Sequence, residues 1–408
     1  MKKIIKKKSP LRKRILIKKN IRKNLKNKTK NKIKQKLEKK KSLIEEKEEN
    51  TYEDYNYIKI LIRTIFNARE ARRQLKFLGI DFKSISSKVD DTFIKSCCDI
   101  LNQIDKTINS KNYDHRKKKD IFFQLTKEYY RLMPHIFPFP DYSMYLINDI
   151  EKIKREICLL ELTKSYFELE NVFQKIKLNK EENDLNNSMY LNDSINLSVN
   201  NGENVSEETH NYISNLFLEK ALSEFDLSIT IIKNNSKKFE EIKDFVDEFS
   251  SIKGGPFPSL ELLQLFKLSK IDEEIDEKNL FFYGCETVHF YSILKNGLRL
   301  PFKEAPKNAF VYGKGILMSN NPYNQIKKCL PKNNIVYLFI CNVDMLKPKR
   351  VHLHHKNYPE KLKKEFNSIV INQIKYHFED GTSNYGMDFI FYDTSLIQLC
   401  YIVKLQIP

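Results

Sequence analysis

The sequence predicts an α+β chain, an all-helical block followed by a block rich in antiparallel strands. Two observations carry that reading. Apolar residues recur at helical spacing between Tyr52 and Ile176, and beyond about residue 224 the apolar period shortens to two. The 408 residues, 41% of them apolar, suffice for two ordinary domains plus tails.

Taken in order, Ile58, Leu61, Ile62, Ile65, Ala68, Leu75 and Leu78 predict a helix that Gly79 stops. Phe93, Cys97, Ile100, Leu101, Ile104 and Ile108 predict a second. A third carries Ile121, Phe122, Leu125, Tyr129, Leu132 and Met133 and ends at Pro134, which cannot continue a helix. A long fourth runs from about Asn148 to Ile176 through Ile150, Ile153, Ile157, Leu160 and Phe167. Residues 178–210, rich in Asn, Ser, Asp and Glu, are expected to be a disordered or long surface loop. Helical spacing resumes near Tyr212 with Ile213, Leu216, Phe217 and Ala221.

The pattern then changes. Leu227, Ile229 and Ile231 alternate with Ser228, Thr230 and Ile232, as in a strand. A helix follows with Phe239, Ile242, Phe245, Val246 and Phe249. After Gly254-Gly255-Pro256 the chain reads as short strands, clearest at 262–268, 335–343, 389–392 and 401–407. In the last of these, Val403, Leu405 and Ile407 share one face and Lys404 and Gln406 the other.

The formal net charge of +19 is concentrated at one end. Residues 1–41 hold 21 Lys and Arg against a single acid, Glu38, and the remainder is close to neutral. So many like charges resist compaction, so residues 1–50 are expected to form a disordered basic arm. Lys6-Lys7-Lys8 and Arg12-Lys13-Arg14 form its best cluster, which reads as a nuclear address, a nucleic-acid contact or both. The competing reading is a solvated low-complexity tail. Seven cysteines, an odd number with no Cys-x-x-Cys pair, argue for a reducing compartment and against a disulfide framework or structural zinc. No apolar run reaches the length of a membrane span and no secretory leader is evident, which leaves cytosol or nucleus. Of the two, the nucleus is expected.

Several segments agree in order and spacing with a known family. Leu280-Phe281-Phe282-Tyr283-Gly284-Cys285-Glu286-Thr287, Ile293-Leu294-Lys295-Asn296-Gly297-Leu298-Arg299, Glu304-Ala305-Pro306 and Tyr312-Gly313-Lys314-Gly315-Ile316 resemble the NAD-binding core of poly(ADP-ribose) polymerases. Met387-Asp388-Phe389-Ile390-Phe391-Tyr392-Asp393 and the closing strand continue the likeness. Ile58 to Asp81, and Leu125 to Pro140 with Tyr129-Tyr130-Arg131-Leu132-Met133-Pro134-His135, resemble that family's helical regulatory domain. The resemblance implies a helical regulatory domain over 52–223, interrupted by 178–210, and an antiparallel-sheet ADP-ribosyltransferase catalytic domain of two sheets over 224–408. It implies NAD as co-substrate and protein acceptors. Nothing resembles the family's zinc-finger cysteines or its Trp-Gly-Arg domain, and the chain has no Trp. Nucleic acid is therefore expected to meet the arm, residues 1–41. No membrane partner is expected.

NAD needs backbone partners for its carboxamide, aromatic faces for its ring and polar groups for its riboses. Gly284 matches the family's glycine at the carboxamide, where no side chain keeps the backbone away. Arg299 matches an arginine near the adenosine half, and Gly313 and Gly315 a tight turn. The family's His, Tyr and Glu triad falls on Tyr283, Leu317 and Asp388, the expected catalytic positions. Tyr283 offers a phenol donor on a longer arm. Leu317 gives contact without a π-face, forfeiting about 0.5–1.5 kcal/mol of stacking. Asp388 keeps the carboxylate one methylene short, and a misplacement on the order of 1 Å costs about a hundredfold in rate. Cys285 stands for a hydroxyl that holds the carboxamide. Lys328 stands for an aromatic, placing an ammonium against a cationic ring. Ser292 and Gln325 fill the remaining cofactor-binding positions.

Two functions follow from the resemblance. One is an NAD-dependent ADP-ribosyltransferase, mono rather than poly. The other is an inactive relative serving as a nuclear scaffold or nucleic-acid-binding module. Cys285 and His289, four apart, give weak support to a cysteine hydrolase, and His352, His354 and His355 only loosely resemble a metal cluster, so no metal is expected.

Overall fold

The computed structural model describes residues 52–85, 89–137, 145–181, 217–248, 259–269, 279–345, 348–350, 368–377 and 383–408. The chain divides into two compact units, Met1–Tyr57 and Ile58–Pro408. Of the first, only residues 52–57 are described, as the opening of a helix. The remaining helices and the whole sheet belong to the second.

The first predicted helix is two. Helix α1 (Tyr52–Ile65) ends and α2 (Ala68–Phe77) begins around Asn67, whose side chain accepts the Glu70 N–H at 2.9 Å. An Asn in that position competes with the helix for its own backbone and restarts it. Helix α3 (Asp91–Asn109) is capped by Asp90 on the Phe93 N–H, and α4 (His115–Leu132) by Asp114 on the Lys117 N–H. Helix α5 (Ile150–Glu181) buries Ile153, Ile157, Leu159, Leu160, Leu162, Tyr166 and Leu169. Neighbouring positions such as 159 and 160 point to different sides, so this helix is packed around much of its circumference and forms the axis of the block. Because α5 continues to Glu181, the first four residues of the expected 178–210 loop are helical. Residues 182–210, the arm 1–50 and the expected helix start near Tyr212 lie outside the described residues. A short helical stretch, 217–223, buries Leu218 and Ala221.

The strands are β1 (Ser228–Ile232), β2 (Glu261–Ser269), β3 (Leu280–Tyr283), β4 (Ile316–Ser319), β5 (Ile335–Val343), β6 (Pro348–Arg350), β7 (Ser368–His377), β8 (Ser383–Phe391) and β9 (Ile397–Gln406). They join in the order β1-β2-β9-β5-β3-β4-β8-β7-β6. The two expected sheets are thus one continuous ladder with a waist. Strand β3 meets β4 through the single pair Phe282 and Ser319, whereas β5 pairs with β9 along its whole length. Among the described residues all strand pairings are antiparallel except β6 with β7 at the edge.

Strand β5 shows why its sequence is a continuous apolar run. Val336, Leu338 and Ile340 join the main core with Phe239, Ile242 and Val246 of α6 (Lys237–Asp247). On the other face Phe339 meets Phe290, with ring centroids 4.5 Å apart. Burial on both faces removes the polar alternation. Each fully buried side chain of this kind contributes about 1.5–3 kcal/mol. Helix α6 also lays Phe245 flat on Phe282, 4.5 Å between centroids, directly behind the waist.

Polar contacts fasten the helical block to the loops around the sheet. Asn102 of α3 donates to the Glu304 carbonyl at 2.7 Å, and Asn308 donates to Asp105 at 2.9 Å. Ser165 of α5 meets His289 at 2.7 Å, and Arg299 pairs with Glu168 at 3.1 Å.

Candidate active site

The waist of the sheet brings the three predicted catalytic residues onto adjoining strands. Tyr283 ends β3, Leu317 lies in β4 opposite Ile390, and Asp388 lies in β8 opposite Ser319. Lys328, just after α8 (Pro322–Ile326), is their common neighbour. Its ammonium donates to the Leu317 carbonyl at 3.0 Å, sits 5.9 Å from the Tyr283 ring centroid and feels the charge of Asp388. Asn321 starts α8 by accepting the Tyr323 N–H, and Pro322 at the first turn needs no donor.

Gly284 is pressed against α8. A Cβ added there would lie 2.2 Å from the Gln325 carbonyl oxygen, so only glycine permits this approach. The Gly284 N–H, the group the family resemblance assigns to a ligand's carboxamide, donates to the Gln325 side-chain oxygen at 3.2 Å. The same oxygen accepts from Lys328 at 2.8 Å. Gln325 is almost fully buried, and its amide completes the site from within.

Burial dominates the electrostatics. It lowers Lys328 to about 8, with Asp388 pulling the other way. It holds the Tyr283 phenol and Cys285 thiol well above their ordinary values, so both remain protonated. Glu286, beside them, is raised to about 7 by burial, although its carboxylate accepts the Leu330 N–H. Glu161 of α5 is raised by burial to about 7, and its charge opposes ionisation of Tyr283. Asp388 accepts from Asn324 at 3.0 Å.

Tyr283, Gly284, Cys285, Leu317, Gln325, Lys328 and Asp388 therefore surround one place. Two predicted residues stand apart from this network among the described contacts. Ser292 is buried within α7 (Phe290–Asn296), where its carbonyl accepts from Asn296. Arg299 is exposed and turned to Glu168 of the helical block. The weak cysteine-hydrolase reading is overturned: His289 is directed at Ser165 and lowered by burial to about 4, while Cys285 is held as a thiol. His352, His354 and His355 lie outside the described residues.

Sequence reasoning missed Asn324 and Glu161. Asn324 gives no signal of its own. Glu161 does, as a lone acid inside Leu159-Leu160-Glu161-Leu162. Among the described residues no group of His, Cys, Asp and Glu could hold a metal ion, and no helix is long and apolar enough to cross a membrane.

Comparison with known proteins finds a match for each of the two blocks. Residues 55–193 match the family model for the regulatory domain of poly(ADP-ribose) polymerase, and residues 236–407 match that for its catalytic domain. Poly(ADP-ribose) polymerase 2-B of Oryza sativa subsp. japonica is 23% identical over 241 residues, covering 57% of this chain and 33% of that protein. Poly(ADP-ribose) polymerase 1 of Xenopus laevis is 21% identical over 272 residues, 64% of this chain and 23% of that protein. Poly(ADP-ribose) polymerase 2 of Arabidopsis thaliana is 22% identical over 310 residues, 73% of this chain and 42% of that protein. The chain thus spans less than half the length of each of these relatives.

Proposed function

We propose, from the premise that this chain belongs to the poly(ADP-ribose) polymerase family, that its catalytic domain is a silent member acting as a nuclear scaffold. One observation carries the proposal. The Gly284 N–H is taken by the Gln325 amide, and the Lys328 ammonium is bonded to that same amide oxygen. The residues present do not fit the nicotinamide end of NAD: its carboxamide would have to displace an internal amide, and its cationic ring would meet an ammonium. A neutral Lys328 would remove the repulsion, but at pH 7 a group lowered to about 8 is still mostly charged. The basic arm, residues 1–41, supplies the polyanion contact of such a scaffold and its nuclear address.

A second reading keeps the transferase activity, as mono-ADP-ribosylation of protein acceptors. It is favoured by Asp388, a carboxylate held in a defined orientation by Asn324 beside Leu317 and Tyr283. Incubating the full chain with labelled NAD and nucleic acid separates the two. The silent reading expects no label on protein, with or without Asp388→Ala. Label transfer by the natural chain that Asp388→Ala abolishes would overturn it and establish the second.

A further inference from the structure

A cavity of about 370 Å³ adjoins the candidate active site, enclosed by α1, α2, the loop before β5 and β9. The two share a wall. Cys285 and Cys329 line the cavity, and they follow Gly284 and Lys328 in the chain. Its apolar lining includes Ile60, Leu330, Ile335 and Val336. Ile60 and Leu330 are 45% and 38% exposed, so apolar surface at this cavity is open to a ligand.

Lys404 reaches the cavity from the sheet. It stands on β9 between Gln264 of β2 and Tyr337 of β5, both uncharged. The Tyr337 hydroxyl is bonded to Thr64, whose own hydroxyl donates to the Ile60 carbonyl at 2.9 Å. Those polar groups are therefore spent on one another. Lys404 has no hydrogen bond or ion pair among the described residues, and burial lowers its pKa with no carboxylate acting the other way. The other charges of the lining are engaged. Glu70 is shared by Arg73 at 2.7 Å and Lys332 at 3.3 Å, and Arg63 has an interaction of its own. An ammonium held partly out of water without a counter-charge is unfavourable, and a carboxylate beside it offsets that.

We propose that this cavity binds a small amphipathic monocarboxylate, its apolar body against Ile60, Leu330 and Val336 and its carboxylate on Lys404. One ammonium without a partner calls for one negative charge, and the apolar lining calls for a hydrocarbon or aromatic body. Ligand pockets are mostly apolar with a few placed polar groups and hold roughly 300–1,000 Å³. This one lies at the lower end, which favours an aromatic or short aliphatic acid over a polymer.

The test is calorimetric titration of the full chain with 2-naphthoate and with 2-naphthamide, its uncharged counterpart of similar shape. The acid is expected to bind about tenfold or more tighter than the amide. Lys404→Gln should bring the acid down to the affinity of the amide and leave the amide unchanged, a selective effect that loss of packing does not give. Lys404→Arg should keep the preference. Ile60→Ser, at an exposed position, should weaken both ligands several-fold. Comparing acid with amide on the natural chain keeps the proposal falsifiable if Lys404→Gln does not fold. No binding of the acid, equal binding of acid and amide, or a preference for the acid that survives Lys404→Gln would overturn the proposal.

Discussion

The wall formed by the end of β3 and the segment formed by α8 with Lys328 meet at one place and have opposite characters. The wall presents what a ligand needs: a backbone N–H at Gly284 with no Cβ in front of it. The α8 segment uses that provision internally, through the Gln325 amide and the Lys328 ammonium. Backbone architecture and side-chain chemistry have parted company here. A glycine that suits a bound dinucleotide serves equally well to let a helix approach, so retaining it says nothing about retained turnover.

The sharpest way to break this contrast is Gly284→Ala. Its Cβ would meet backbone of α8 at 2.2 Å, which no rotamer change relieves. A loss of about 3 kcal/mol or more in denaturant unfolding is expected. A loss under about 1 kcal/mol would show that α8 yields easily and that the contact is loose.

Next in size is the charge that α8 contributes. Lys328 is lowered from 10.5 to about 8, so between those values the unfolded chain binds more protons than the folded one. Stability therefore rises with pH through that window, by roughly 2–3 kcal/mol from this group. Lys328→Met should flatten that rise and be more stable than the natural chain at pH 7. An unchanged pH slope would mean the ammonium is well solvated.

Glu161 asks the same of the helical block. Its folded pKa is raised from 4.5 to about 7, so the folded state holds the extra proton and stability falls as pH rises through that range. Glu161→Gln should gain about 2 kcal/mol at pH 8, since the side chain keeps some water contact, and nothing at pH 4. Equal effects at both pH values would place the carboxyl outside the apolar contact. Smallest is Arg299→Ala. The exposed pair with Glu168 should contribute less than about 1 kcal/mol to unfolding and shrink further in high salt.

Much of the fold was legible because its long elements repeat their pattern. Helices α3, α4 and α5 and strands β5 and β9 carry enough apolar positions for the period to show. Strands β3 and β4, four residues each, are too short to display one, yet they form the waist that holds the site. The break at Asn67 depended on one cap bond that apolar spacing does not record. At the site, the departures at Tyr283, Leu317, Lys328 and Asp388 were visible as residue types. The internal bond from Gly284 to Gln325 was not, because it joins residues 41 apart through a side-chain torsion. Ser292 and Arg299 were assigned to the ligand by correspondence alone; Ser292 is buried in α7 and Arg299 pairs with Glu168, contacts that the apolar pattern does not record.

The central claim concerns one amide. With glycine ¹⁵N-labelled in the full chain, the Gly284 N–H resonance can be followed while nicotinamide is added. The internal bond to Gln325 predicts no movement in the natural chain, and a saturable shift once Gln325→Ala and Lys328→Tyr free the donor. A saturable shift of that resonance in the natural chain would contradict the account.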